Sequence, residues 1–213
     1  MSQFATPALV GILITAALLV ITNDWRLSFA ALVVQYVLMA ALIAQIVLWQ
    51  VAVVKALVGV FVVGIFSLTG RQANFGRRAG VDLLLSGSLR SFVRFEFPTG
   101  LPFRFLAAVM TIVAAAYTAS QPGFAFPGLP PTLNVASYAL LALGLLNLGL
   151  TEEPMNAGMG LLTGLMGFEL MYAAVEPSLA IVALLAAVNF GVAMATSYLA
   201  LLRYAATEKE PPG

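Results

Sequence analysis

Residues 27–69 read LSFAALVVQYVLMAALIAQIVLWQVAVVKALVGVFVVGIFSLT and carry a single charged side chain, Lys55. A membrane-spanning helix needs about 20 mostly apolar residues, so this stretch is long enough to cross a bilayer twice. An indole favours the membrane surface, and Trp49-Gln50 falls where a hairpin would have to turn. The stretch is therefore expected to fold as two spans, residues 27–49 and 51–69, joined by almost nothing.

The rest of the chain follows the same pattern. Of 213 residues, 62% are hydrophobic and 9% charged, with a mean hydropathy of +1.01, whereas a soluble domain carries about a quarter charged residues. Further apolar runs cover residues 8–22, 103–119, 133–150, 155–175 and 178–204. The expected fold is an all-α integral membrane protein with seven transmembrane helices, multi-pass in the cell (inner) membrane. The first run is expected to be retained as a span, because no basic residue precedes it and no small-x-small cleavage site follows at Asn23-Asp24.

Composition also excludes chemistry. A net charge of +1 gives no field to hold nucleic acid. Without cysteine or histidine there is no disulfide, thiolate or imidazole metal ligand, or histidine base. No phosphate loop, Ser/His/Asp set or pair of intramembrane carboxylates appears, so no catalytic residue, metal or cofactor is expected. The chain is not expected to be an enzyme by itself.

Charge placement sets the expected topology. Residues 70–100 gather Arg71, Arg77, Arg78, Arg90 and Arg94 against only Asp82 and Glu96, the signature of a cytoplasmic loop. These arginines either touch anionic lipid or a cytoplasmic partner, or serve orientation alone. Within the loop, Leu85, Leu89, Phe92 and Val93 recur at helical spacing, so residues 81–97 are expected to form an amphipathic helix in the interface. Alternation of spans then puts the N-terminus outside and the C-terminus inside. The inner turns hold Arg26, Glu152-Glu153, Arg203 and Lys209, Arg104 anchors the inner start of the fourth span, and the loops at 120–132 and Glu176-Pro177 have no basic residue. The chain divides into spans 1–3 (1–69), the arginine loop (70–100), spans 4–7 (101–206) and a polar tail (207–213).

A charge in the hydrocarbon core costs at least about 2.5 kcal/mol, so each needs a reason. Glu169, in Gly167-Phe168-Glu169-Leu170-Met171, lies well inside the sixth span. It reads either as a proton relay, poised between neutral and charged forms, or as a neutral carboxyl bonding a neighbouring helix. Lys55 either snorkels to the outer surface or turns inward toward a buried acid. Glu176 is a surface charge or a relay exit. Asn189, Asn147, Gln35 and Gln45 either bridge helices as glue or hold waters in a transport site, with Asn189 the proton-path candidate and Asn147 and Gln35 weaker ones. Gly160 and Gly164 open one side of the sixth span to a close neighbour, or to local unwinding.

These residues resemble the hydrogenase-4 component E family, small seven-span subunits of membrane-bound hydrogenase and related ion-pumping complexes. Arg26-Leu27-Ser28 with Gln35, and Lys55, match its second and third spans. The last three spans, residues 133–204, look like the K subunit of bacterial complex I and the C subunit of multisubunit cation antiporters, whose Gly-x-Glu-Leu/Ile-Met motif is matched at Gly167 to Met171. Two features depart from the family. Asn189 stands where the complex I subunit carries a second acid, and the arginine-rich insertion is long.

The resemblance implies a non-catalytic subunit of a proton-translocating respiratory or hydrogenase-like complex, with Glu169 and Lys55, and Asn189 beside them, in the proton path. Its partners would be antiporter-like or quinone-module subunits, and lipids. The alternatives are a structural or assembly subunit without ion conduction and an independent small transporter.

Overall fold

The computed structural model describes residues 5–22, 24–47, 49–72, 100–176 and 178–208. Among these residues the chain is all-helical: α1 (Ala5–Ile21), α2 (Trp25–Ile43), α3 (Trp49–Gln72), α4 (Leu101–Ser120), α5 (Pro131–Leu150), α6 (Pro154–Val175) and α7 (Leu179–Glu208). A single 3-10 turn, Pro122–Phe124, follows α4. Helices α2 to α7 are long and apolar enough to cross a membrane, and α1 is a shorter apolar helix. This is the build of a multi-pass membrane protein. The expected amphipathic helix at 81–97, with Arg77, Arg78, Arg90 and Arg94, lies outside the described residues.

Local sequence sets the helix ends. Asp24 caps α2, its carboxylate accepting from the Arg26 backbone N–H at 3.1 Å, as short polar side chains do at helix starts. Helices α4, α5 and α6 each place a proline in the first turn, where the missing N–H removes no hydrogen bond. The first hairpin turns earlier than expected. Helix α2 stops at Ile43, the turn runs through Ala44 to Val47 with Gln45 in it, and Trp49 already opens α3, its indole 69% exposed. Gln45 is thus a turn residue rather than part of the second span. Any uncharged apolar stretch suits either helix or hairpin by composition, so the aromatic marker located the bend only to within a turn.

The helices form a closed circuit in the order α4, α1, α2, α3, α7, α6, α5 and back to α4, with α1 also touching α5 and α6, and α2 touching α6. The closest approach is between α5 and α6. A Cβ built on Gly144 would lie 2.6 Å from the Gly160 carbonyl oxygen and 2.6 Å from the Gly164 Cα, and one on Gly167 would lie 2.5 Å from the Ser137 carbonyl oxygen. Backbone meets backbone there, which only glycine permits. Helix α6 runs unbroken through its glycines, so these serve packing rather than unwinding. On its other side, Gly158 lets the Thr196 side chain of α7 lie against the α6 backbone.

The two ends of the bundle differ in charge. One end carries Arg26, Arg71, Arg104, Arg203, Asp24 and the Glu152-Glu153 turn, and the other has Glu176 as the one charged residue among those described. At the arginine end, Arg104 donates to the carbonyls of Val20 (3.3 Å) and Leu150 (3.0 Å). It thereby ties the C-terminal turns of α1 and α5, where unpaired carbonyls and the helix dipole favour a cation. Arg203 donates to the Glu152 carbonyl at 2.6 Å, tying α7 to the turn before α6.

Candidate functional site

Four helices contribute one polar side chain each to a common point inside the bundle: Tyr36 from α2, Lys55 from α3, Glu169 from α6 and Asn189 from α7. All four are buried, at 2%, 6%, 5% and 1% exposure respectively. Lys55 Nζ donates to Glu169 Oε2 in an ion pair, and Asn189 Nδ2 donates to Glu169 Oε1 at 2.5 Å. Asn189 Nδ2 also donates to its own helix at the Leu185 carbonyl (2.8 Å), while its Oδ1 accepts from the Tyr36 hydroxyl at 3.4 Å. Lys55 Nζ sits 5.2 Å from the centre of the Tyr36 ring, within cation–π range.

The backbone makes this convergence possible. A Cβ on Gly59 would fall 2.5 Å from Tyr36 Cγ, so the aromatic ring occupies the space a side chain would take. Gly59 lies one turn beyond Lys55 on α3, which brings the ring under the ammonium. Gly158 similarly lets α7 approach α6, nearer the arginine end.

Lys55 therefore turns inward and does not snorkel to the surface, for a physical reason. A buried carboxylate and ammonium each carry a desolvation penalty that their mutual attraction offsets only with good geometry and further hydrogen bonds. Here both carboxylate oxygens have a donor and the ammonium faces an aromatic ring. Toward the arginine end, the next layer is Gln35, whose Oε1 accepts from Thr163 Oγ1 at 3.5 Å, and Gln35 Nε2 is buried without a partner.

Toward the opposite end, a cleft opens between α3, α6 and α7 and reaches Lys55 and Glu169. Its walls are aliphatic, including Val51, Val54, Ile181 and Val182, with Tyr172, and Glu176 lies at its rim. The cavity volume is about 30 Å³, space for about two waters.

Of the residues the sequence singled out, Lys55, Glu169 and Asn189 come together and Glu176 shares their cleft. Gln35 occupies the adjoining layer. Asn147 stands apart at the arginine end, where its Nδ2 donates to the Asn156 carbonyl at 3.2 Å and fastens α5 to α6. Arg71 closes the last turn of α3. Sequence reasoning passed over Tyr36 and Thr163, since an aromatic or a threonine in an apolar span draws no notice. No sequence signal marked Tyr36: it shares a buried face with Phe29, Leu32, Met39 and Ile43, but the exposed face with Val33, Val34 and Val37 is equally apolar. Among the described residues no cluster of acidic, histidine or cysteine side chains could hold a metal ion. No protein-family model, curated protein or solved structure matches the chain.

Proposed function

We propose that the chain is a non-catalytic subunit of a multisubunit, proton-translocating membrane complex, and that Glu169 with Lys55 forms part of its proton path. The observation that carries this reading is the enclosed Lys55–Glu169 pair, bound on its other sides by Asn189 and Tyr36. Buried ionisable groups in a bilayer are costly and mark ion pathways, and a carboxylate beside a movable cation can release and recapture a proton as the two part and rejoin. The family resemblance supports the complex. In this reading all seven helices span the inner membrane, the arginine end is cytoplasmic, and the N-terminus is outside. The exposed apolar faces of α4 and α7 meet lipid or neighbouring integral subunits, of the antiporter-like or quinone-module kind.

The test is Glu169→Gln expressed in place of the native chain. The expected result is an assembled complex, recovered from native membrane in mild detergent with its other integral subunits, that no longer acidifies everted vesicles. Normal proton translocation by the variant would overturn the relay, and a chain that purifies alone would overturn the subunit assignment.

A scaffold role is the second reading. Both carboxylate oxygens already have donors in place, as a locked inter-helix clamp requires. In that case Glu169→Gln leaves translocation untouched.

A further inference from the structure

We infer that the cleft between α3, α6 and α7 is a one-sided, proton-selective water entrance to the Lys55–Glu169 pair, opening only at the end that carries Glu176, with Glu176 as the acid that gathers protons at its mouth. The inference rests on the proton-path reading and deepens it by naming the side of access and the acid at the mouth.

The geometry supports each part. Glu176, the C-cap residue just past the end of α6, lies seven residues beyond Glu169, about 10 Å along the helix axis, and both line the cleft. Its volume of about 30 Å³ holds about two waters. Two waters make three hydrogen-bonded steps of about 2.8 Å each, close to the separation to be bridged. A metal cation that keeps an oxygen shell of about six ligands does not fit that volume, and the aliphatic walls offer nothing to replace the shell. The titratable groups facing the cleft are Lys55 from α3, Glu169 and Tyr172 from α6, and Glu176 at the cap of α6, while α2 and α7 line it with Ile43, Ile181, Val182, Leu185 and Ala186. With Lys55 matched to Glu169, Glu176 leaves the cleft acidic at its mouth, and a cleft lined by charge of one sign raises local cation concentration. Inward of the pair, Tyr36 and Asn189 are 2% and 1% exposed and close the far side.

The chain contains no cysteine, so single-cysteine variants need no background substitutions. Ala173→Cys and, as a second position, Val182→Cys are placed in vesicles of known orientation and treated with membrane-impermeant thiol reagents, one cationic and one anionic. Modification is expected from the Glu176 face alone and faster with the cationic reagent. That preference should fall about tenfold in Glu176→Gln. Thr163→Cys, beyond the closed layer, should react from neither face. Reaction of Ala173→Cys and Val182→Cys from the arginine face, or from no face, overturns the one-sided entrance. An unchanged preference in Glu176→Gln overturns its role.

Selectivity is read on the purified chain by infrared difference spectroscopy, using the carboxyl band that Glu169→Gln abolishes. The band should respond to pH and not to sodium or potassium chloride, and a response to either salt overturns proton selectivity. Both measurements are made without pumping, so they stand or fall separately from the role in a proton-translocating complex.

Discussion

Asn189 donates to Glu169 Oε1 at 2.5 Å, on the side of the carboxylate away from Lys55. The seventh helix thus meets the acid with a neutral amide, which holds a carboxylate in place but cannot take over its proton. On the proposed path, a proton leaving Glu169 would have the cleft toward Glu176 before it and, on the other side, first the amide and the phenol.

The Lys55–Glu169 pair should show strong coupling. Removing one partner leaves a buried charge unmatched, at a cost of about 3–5 kcal/mol, so Lys55→Met alone should destabilise the chain by about that much. The double variant Lys55→Met, Glu169→Gln should recover most of the loss, because neither charge remains. Unfolding in graded denaturing detergent measures the cycle, and losses that simply add would show that the two side chains do not interact.

Asn189→Leu should cost about 1–3 kcal/mol, the penalty for leaving buried polar groups unmet, since it strips a donor from Glu169 and the acceptor from Tyr36. Tyr36→Phe should cost less, because Asn189 keeps its bonds to Glu169 and Leu185. If the two variants proved equally stable under the same detergent titration, the amide would not be the hub of the cluster.

These side chains show how far the sequence could be read. Glu169, Lys55 and Asn189 stood out because polar groups are rare in apolar spans, and polarity there selects the protein interior over lipid. The inward face of each helix was harder to read. In water an apolar stripe marks the core, but here the outward face is apolar too: Val33, Val34 and Val37 of α2 are exposed while Leu32, Tyr36 and Met39 are buried. Hydrophobic periodicity therefore carried little information, and Tyr36 escaped notice. The bend after α2 was misplaced because Gln45, the one polar residue between Ile43 and Leu48, reads as well on a buried helix face, like Gln35, as in a turn.

The Arg104 contacts predict an asymmetry between two basic residues. Arg104 serves the carbonyls of Val20 and Leu150 with two separate nitrogens, and a lysine has only a single point charge to offer. Arg104→Lys should lose about 1–2 kcal/mol, roughly one charged hydrogen bond, and Arg104→Gln should lose more. Equal stability of native protein and Arg104→Gln in the detergent titration would remove the bridge from the account of this end.

The glycines of α5 and α6 make the sharpest packing prediction, because two chemically identical substitutions should act in opposite directions. In Gly144→Ala the new methyl lies 2.6 Å from the Gly160 carbonyl oxygen and the Gly164 Cα. Backbone atoms of a continuous helix cannot rotate aside as a side chain can, so α5 and α6 must separate. Forced overpacking costs about 1–3 kcal/mol, and the separation also loosens the α6 register that presents Glu169 to Lys55. Gly149→Ala, five residues along the same helix, meets nothing within 4 Å and should stabilise the chain by about 0.5–1 kcal/mol through the higher helix propensity of alanine. Parallel denaturation of the two variants decides the matter: a Gly144→Ala protein as stable as Gly149→Ala would mean that the two helices do not touch backbone to backbone.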